Sequence, residues 1–282
     1  SAGDVNGDGF DDLIVGATNA SPNGDSSAGS SYVVFGNAGG FSATLDLSTL
    51  NGSNGFRLDG VSPGASSRAP VASAGDVNGD GFDDLIIGAN RADASGNAKS
   101  YAGDSYVIFG CSSLPASFDL ANVGSAGMTI FGAEANDSSG GAVSSAGDVN
   151  GDGFDDLIVG AFRAADPNDY GSGSSYVVFG KASGFSATLD LSSFDGSNGF
   201  RLDGVAVGDN SGWSVSNAGD VNGDGFDDVI VGADSDPFGI SSSYVVFGKA
   251  SGFSATMELS SLDGSNGFRL RVAGDNLGRS VS

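Results

Sequence analysis

Short apolar runs recur along the chain at an almost constant spacing, and glycine and polar residues separate them. Residues 12–16 read Asp-Leu-Ile-Val-Gly, a short apolar run that suits a β-strand buried on both faces. Residues 31–36 read Ser-Tyr-Val-Val-Phe-Gly, and their β-branched and aromatic side chains also favour a strand. Residues 55–60 alternate apolar and charged side chains, which predicts a half-exposed outer strand.

A fourth strand is predicted just before each polar loop, at residues 142–145 and 214–217 in two of the units. Residues 41–47 are expected to be extended, and no stretch has a convincing helical period. In the second repeat, Pro70 stands at the start of the strand that precedes the polar loop. Proline fits only the edge of a sheet because it has no N–H to donate.

The whole pattern repeats four times. The nonapeptide Asp-Val-Asn-Gly-Asp-Gly-Phe-Asp-Asp begins at Asp4, Asp76, Asp148 and Asp220, so successive copies are 72 residues apart (76−4, 148−76 and 220−148). Four strands per unit with glycine between them are typical of a β-propeller blade. A β-solenoid is the alternative, but its rungs are usually shorter, about 20–30 residues. The sequence therefore predicts an all-β propeller of four-stranded antiparallel blades.

Each nonapeptide has the oxygen spacing of an EF-hand type of calcium loop. Positions 1, 3, 5 and 9 carry Asp, Asn, Asp and Asp, the glycine at position 6 permits a turn with positive φ, and position 7 needs only its backbone carbonyl. Four Ca²⁺ sites are therefore expected. The predicted ligands are Asp4, Asn6, Asp8, Phe10, Asp12, Asp76, Asn78, Asp80, Phe82, Asp84, Asp148, Asn150, Asp152, Phe154, Asp156, Asp220, Asn222, Asp224, Phe226 and Asp228.

The loops lack the bidentate Glu that ends an EF-hand, so the ion would lie in a strand–loop–strand turn. Three carboxylates converge in each loop and would repel one another without a cation. Magnesium suits such a site less well because it keeps several waters. The alternative is a turn rich in Asp, Asn and Gly that binds no metal. The adjacent carboxylates of Asp11, Asp83, Asp155 and Asp227 are expected to point away from the ion.

Composition narrows the range of functions. The chain has 282 residues, 39% hydrophobic residues and a net charge of −24, which four Ca²⁺ would reduce to −16 (−24 + 8). Nucleic acid is a poor partner because there is no basic patch to meet phosphate. No apolar run is long enough to span a membrane. The chain has no His and therefore lacks the commonest general base. Cys111 is the only cysteine, so it is either a solitary thiol or half of an intermolecular disulfide.

The repeat resembles the FG-GAP repeat of integrin α-subunit propellers and of large secreted bacterial proteins. The matching residues are 212–215, 220–225 and 228–233, and the resemblance covers essentially the whole chain. It implies one four-stranded blade per repeat, with calcium between the first two strands, in a protein outside the cell or on its surface, with a bacterial source expected. Two positions depart from the family. The family's Phe before the first Gly is Ser139, Ser211 or Leu277 here, and its Pro after Gly-Ala is Thr18, Asn90, Phe162 or Asp234.

Integrin propellers have seven blades and this chain has four repeats, so the number of blades is not carried over. The blades are predicted at residues 278–282 with 1–61, 68–133, 140–205 and 212–272. Residues 278–282 resemble the strand that precedes each loop, so they are expected to complete blade 1 and close a four-bladed ring. The alternative is pairing with a neighbouring molecule in a dimer or filament. The ends also suggest a mature product or an excised fragment.

The loops between the second and third predicted strands of each blade vary most, and variable loops on a rigid scaffold commonly carry recognition. Protein or glycan contacts are expected there, with solvated loop decoration as the alternative. Trp213 has no counterpart in the other repeats and is a further candidate. The predicted ligand-binding residues are Asp93, Lys99, Tyr101, Asp104, Arg163, Asp166, Asp169, Tyr170 and Trp213.

Three functions fit these observations. The first is a non-catalytic, calcium-stabilised extracellular binding or adhesion module for protein or glycan ligands. The second is a structural subunit assembled head to tail in a surface filament or array. The third is a propeller-type polysaccharide lyase, which the lack of His and of any nucleophile–base pair disfavours.

Overall fold

The computed structural model describes residues 1–61, 70–92, 99–164, 171–234, 240–273 and 277–282. Within these residues the chain forms four β-sheets, one for each repeat, as the pattern predicts. The strands, in chain order, are β1 (Leu13–Ala17), β2 (Ser30–Val34), β3 (Gly55–Asp59), β4 (Val71–Gly75), β5 (Asp84–Ala89), β6 (Asp104–Ile108), β7 (Ser117–Asp119), β8 (Gly127–Phe131), β9 (Ser139–Gly147), β10 (Asp156–Ala161), β11 (Ser174–Val178), β12 (Thr188–Asp190), β13 (Gly199–Asp203), β14 (Ser211–Gly219), β15 (Asp228–Ala233), β16 (Ile240–Val246), β17 (Thr256–Glu258) and β18 (Gly267–Ala273).

Helical structure in the described parts of the chain consists of short 3-10 turns. Among these residues no helix has the length and apolar character needed to cross a membrane. The turns are Pro22–Gly24, Leu47–Thr49, Leu120–Asn122, Gly124–Ala126, Leu191–Ser193 and Leu259–Ser261.

Each blade is built from consecutive antiparallel strands. Blade 1 has the order β1-β2-β3, blade 2 β4-β5-β6-β8, blade 3 β9-β10-β11-β13 and blade 4 β14-β15-β16-β18. The inner strands β4 and β9 lie at sheet edges, which explains why Pro70 is tolerated directly before β4.

A short additional strand joins the outer edge of blades 1 to 3, and it comes from the following repeat. β7 pairs in parallel with β3, β12 with β8 and β17 with β13. These strands occupy the segment that the sequence predicts to be extended. The corresponding segment of the first repeat, around residues 41–47, forms no strand.

The hydrophobic core lies between the blades rather than inside one of them. Within β5, Leu85 and Ile87 pack in the cluster shared with blade 1, and Ile86 packs in the cluster shared with blade 3. All six residues of β5 are buried, and so are all six of β10. The prediction of a strand buried on both faces is therefore confirmed for the two central blades.

Blades 1 and 4 each have one face without a neighbouring blade among the described residues. Leu13 and Val15 in β1 are 56% and 51% exposed, whereas their counterparts Leu85 and Ile87 are 0% and 3% exposed. On blade 4, Phe268 and Leu270 are exposed, although the equivalent side chains of blade 3, Phe200 and Leu202, are buried. Apolar side chains that pack between blades elsewhere thus meet solvent at both ends of the array.

The contacts that join neighbouring blades repeat with little variation. Asp83, Asp155 and Asp227 turn away from their own loops, as expected, and each accepts the backbone N–H of the first loop aspartate of the preceding blade. The aromatic ring at loop position 7 packs over a glycine of the same neighbouring loop. An ideal Cβ at Gly151 would lie 2.3 Å from Cε1 of Phe226, whereas one at Gly223 would meet nothing within 4 Å.

Ring closure is not confirmed. In the part of the chain that the structure describes, the sheet of blade 1 begins at β1, and residues 277–282 form no strand with it. Gly278 instead lies against Gly232 of blade 4, and its carbonyl accepts a hydrogen bond from Ser214 Oγ. Among the described residues, no strand pairing therefore joins blade 4 to blade 1.

Candidate metal loops and variable-loop face

Dense internal hydrogen bonding shapes each Asp-rich loop. In blade 2 the carboxylate of Asp76 accepts the N–H groups of Gly79 (2.7 Å), Asp80 (3.1 Å) and Gly81 (2.9 Å). Asn78 Oδ1 accepts a second bond from the Asp80 N–H (2.9 Å). Gly79 and Gly81 have φ of 72° and 89°, a region that L side chains rarely adopt. The sequence spacing thus folds into a tight turn whose carboxylate and amide oxygens face inward.

The aspartate at position 9 anchors the loop to the blade. Asp84 is fully buried, and its two oxygens accept the N–H groups of Val77 (3.1 Å) and Gly110 (2.8 Å). Burial raises the pKa of Asp84 to about 8, and the nearby charges of Asp80 and Asp76 are a smaller part of that rise. The same cause raises the pKa of Asp156 to about 8 and that of Asp12 to about 6. Concentrated negative charge therefore surrounds each buried carboxylate.

The donor chemistry of these loops fits a hard cation. Three carboxylates, one amide oxygen and a backbone carbonyl are the ligand types that Ca²⁺ prefers. The geometry of the loop fits a cation less well than its chemistry does. Backbone N–H groups already donate hydrogen bonds to both oxygens of Asp84, the predicted ligand at position 9. Among the described residues, no group of three or more acidic, His or Cys side chains is arranged as a ready metal centre. Calcium binding therefore remains a prediction of the sequence.

The predicted ligand-binding residues fall into different settings. Lys99 forms an ion pair with Asp190 of β12 (2.9 Å) and thus links the second repeat to the third. Asp104 is fully buried at the start of β6, so its carboxylate is not presented on the surface as the sequence suggested. Trp213 packs edge-on against Phe162, with ring centroids 5.1 Å apart. Asp93, Asp166, Asp169 and Tyr170 lie outside the described residues.

Tyr101 and Arg163 come together in one surface cleft. The cleft has a volume of about 360 Å³ and lies where loops of blades 2 and 3 meet. Arg91, Asn136 and Ser138 complete its lining, and the sequence analysis did not select them. The signal that could have found Arg91 is its register, since it stands 72 residues before Arg163 at the same place in the repeat.

Comparison with known proteins identifies the repeat. The model of the FG-GAP repeat matches residues 1–34, 70–108, 139–178 and 211–246, which together make up more than half of the chain. The chain therefore belongs to the FG-GAP repeat family, and the resemblance drawn from its sequence is confirmed.

Two curated relatives are similar to part of the chain. A phosphatidylinositol-glycan-specific phospholipase D of Bos taurus is 33% identical over 162 residues, and one of Dictyostelium discoideum is 34% identical over 174 residues. Each match includes 57% of this chain but only 18% and 17% of the relative. The chain thus spans less than a fifth of the length of these relatives.

Proposed function

We propose that this chain is a calcium-stabilised, non-catalytic binding module that works outside the cell. The observation that carries the proposal is the fourfold presentation of the same oxygen donors in tightly turned loops on a rigid array of blades. Asp76 and Asp220, for example, lie in loops 144 residues apart, and each accepts the three equivalent backbone N–H groups of its own loop. Extracellular modules commonly use Ca²⁺ to hold such loops in place.

The proposed role of calcium is structural. Extracellular sites bind with Kd of about 10⁻⁴–10⁻³ M, and a roughly tenfold excess of free ion stabilises the folded state by about 1.4 kcal/mol per site. Four sites would contribute on the order of 5–6 kcal/mol, which is comparable with the whole stability of many domains. Chelation should therefore loosen or unfold the chain.

Native mass spectrometry and thermal unfolding test this role together. We expect four Ca²⁺ per chain, and a large fall in Tm when EDTA removes them. Asp80→Asn should reduce the count to three at a calcium concentration that just fills the four sites of the parent chain. Asp25→Asn, which removes the same charge from an exposed loop of blade 1, should leave it at four. An unchanged Tm after verified metal removal would refute the structural role.

A non-catalytic role is proposed from the residues of the chain itself. The sequence contains no His, and the buried aspartates of the loops bind backbone N–H groups rather than facing a cleft. The two relatives are named as phospholipases, but their matched regions are a small part of each. Incubation of the calcium-loaded chain with phosphatidylinositol-glycan-anchored substrates and with acidic polysaccharides should give no product. Turnover of either substrate would replace the binding proposal by an enzymatic one.

Assembly of several copies is the second candidate, and the two exposed end faces favour it. The exposed side chains are Leu13 and Val15 on blade 1 and Phe268 and Leu270 on blade 4. Their counterparts in the other blades are buried between neighbouring blades. A second copy offers each face the partner that it lacks, in a head-to-tail contact. A ring closed within one chain would bury the same side chains.

Sedimentation velocity in calcium separates these arrangements. Head-to-tail assembly predicts oligomers whose size grows with concentration, and Leu13→Glu should abolish them. Val207→Glu, at an exposed apolar residue outside both end faces, serves as the control. A compact monomer at every concentration would exclude assembly and favour the closed ring.

A further inference from the structure

In blades 1 to 3, the outer edge of the sheet receives a short parallel strand from the following repeat. β7 joins β3, β12 joins β8 and β17 joins β13, each through three consecutive residue pairs. The same backbone hydrogen bond, 2.9–3.0 Å long, marks each junction, from Arg57 to Ala116, from Thr129 to Ala187 and from Arg201 to Ala255. The docking of this strand is therefore a regular contact between repeats.

The outer strand of blade 4, β18, has no such partner in the part of the chain that the structure describes. Arg269 stands at the position of Arg201, and among the described residues its N–H makes no bond of this kind. Gly264 shows the same gap. An ideal Cβ at Gly196 would meet the carbonyl oxygen of Phe253 in the docked segment, whereas one at Gly264 meets nothing within 4 Å. β18 therefore presents an unpaired edge.

The first repeat contains the complementary element, which is a docking segment without an edge to pair with. Residues 41–46 read Phe-Ser-Ala-Thr-Leu-Asp, and residues 185–190, which include β12, have the same six residues. All of residues 41–46 are exposed, Phe41 by 56% and Leu45 by 38%, whereas the equivalent side chains before and in β12 are half-buried. The backbone is already extended at Asp46 (φ −86°, ψ 113°). This first-repeat segment thus has the sequence of a docking strand without its contacts.

Charge favours the pairing of the first-repeat segment with β18. In the register of β17 on β13, the pairs would be Thr44 with Arg269, Leu45 with Leu270 and Asp46 with Arg271. At the third pair, the junctions on blades 1 and 3 place two acidic residues opposite each other. Blade 4 instead has Arg271, which forms no ion pair within the described residues. Neighbouring strands lie about 4.8 Å apart, so Asp46 would be within reach of Arg271.

The aromatic side chains are complementary as well. On blade 3, the ring of Phe253 from the docked segment stacks on Phe200, with centroids 4.7 Å apart. Phe41 stands at the position of Phe253, and Phe268 stands at that of Phe200. Phe41 and Phe268 are both exposed, so docking would bury two rings that now meet solvent.

We propose that the first-repeat segment of one copy docks in parallel on β18 of a second copy. The carbonyl of Ala43 accepts the N–H of Arg269, and Asp46 pairs with Arg271. A second copy is the occupant because one chain exposes the segment and the edge at the same time, so each added copy brings a further segment and a further edge. The inference rests on the second candidate function, head-to-tail assembly, and specifies its contact.

Sedimentation velocity of the full chain in calcium tests the contact by charge reversal. Asp46→Lys and Arg271→Glu should each weaken association about tenfold, because each replaces an attractive pair by a repulsive one. Arg271→Glu leaves in place the bond from the Ser48 N–H to Asp46, so its effect reports the pair and not the shape of the segment. Asp25→Lys, at an exposed site of blade 1, is the control and should have no effect. An equimolar mixture of the two reversed chains should assemble like the parent, since the altered residues then face each other.

A cysteine pair separates docking between chains from closure within one chain. On a Cys111→Ser background, Leu45→Cys and Leu270→Cys place thiols at facing positions of the proposed register. The spacing of neighbouring strands, about 4.8 Å, suits a disulfide. Oxidation of a mixture of the two single-cysteine chains with copper phenanthroline should give a covalent dimer. Val272→Cys, two residues out of register, should give far less dimer with the same partner.

The other outcomes overturn the proposal in distinguishable ways. Oligomers that are unaffected by both charge reversals would retain head-to-tail assembly and exclude this contact. A monomer at every concentration would exclude both. A chain that carries both cysteines and crosslinks only to itself would show that the segment docks on its own β18 and closes a ring. The calcium count and the turnover measurements test the binding module independently of all three.

Discussion

Removal of one interblade carboxylate measures how strongly neighbouring blades are joined. Asp155 of blade 3 accepts the N–H of Asp76 of blade 2 at 2.9 Å, and its own N–H donates to the carbonyl of Asp76 at 3.3 Å. The first of these bonds requires the side chain, whereas the second is made by the backbone. Asp155→Ala therefore removes one acceptor and leaves the second bond in place. Asp11 occupies the same loop position in blade 1, where the side chain is exposed.

The expected loss of stability follows from the environment of the Asp76 N–H group, which the substitution leaves without its side-chain acceptor. Asp76 N–H is part-buried, and leaving such a donor unpaired costs about 1–3 kcal/mol. Asp11→Ala should cost less than about 0.5 kcal/mol, as is usual for exposed positions. Burial raises the pKa of Asp155, so its negative charge is itself unfavourable there. Asp155→Asn, which keeps an acceptor without the charge, should therefore cost less than Asp155→Ala.

Thermal unfolding of the three variants in saturating calcium is the assay. A free-energy change of 1 kcal/mol shifts Tm by about 2–4 °C in a domain of this size, so a cost of about 1–3 kcal/mol for Asp155→Ala should lower Tm by roughly 2–12 °C. Asp11→Ala should stay within about 2 °C of the parent chain. Equal losses for Asp11→Ala and Asp155→Ala would refute the reasoning. They would mean that Asp11 also meets a preceding blade, as it would in a closed ring.

Three further perturbations use the same comparison of equivalent sites. Gly151→Ala should destabilise the chain by about 1–3 kcal/mol more than Gly223→Ala in urea unfolding, because both strain the backbone but only the first drives a Cβ into the ring of the next blade. Equal losses would contradict the interblade packing. Phe200→Ala should cost about 3–5 kcal/mol because the ring is 1% exposed, and Phe268→Ala, at 37% exposed, should cost far less. Burial raises the pKa of Asp137 from 3.8 to about 6, so stability should fall by up to about 3 kcal/mol as pH rises from 4 to 6 or above. Asp137→Asn should remove that fall, and Tm profiles that stay parallel from pH 4 to 8 would show that the carboxylate does not contribute.

The strands and the loops were predictable because their signals are local. The apolar run of β5 and the alternation in β3 each lie within about six residues, and the fourfold repeat multiplies the evidence. The position of the loop glycines likewise follows from the turn that they must make. Local patterning was therefore enough to predict four all-β blades.

The partners of these elements were not predictable in the same way. The short strand β7 pairs with the preceding blade, and nothing in its three residues shows that choice. Lys99 is a charged residue in a variable loop and was therefore predicted to contact a ligand, yet it forms an ion pair with Asp190, 91 residues away. The lining of the cleft combines ordinary polar loop residues such as Asn136 with an arginine from another blade. Such groupings depend on tertiary proximity, which a single sequence does not contain.

The short edge strands β7, β12 and β17 make the array of blades asymmetric, because each strand pairs with the blade that precedes its own repeat. The edge strand of blade 1 belongs to repeat 2, that of blade 2 to repeat 3 and that of blade 3 to repeat 4. Opening of blade 4 therefore removes β17 from blade 3, whereas opening of blade 1 removes no strand from blade 2. Transient unfolding should propagate more readily from the C-terminal side than from the N-terminal side. In hydrogen exchange, amides of β13 would lose protection together with blade 4, although the two elements belong to different repeats.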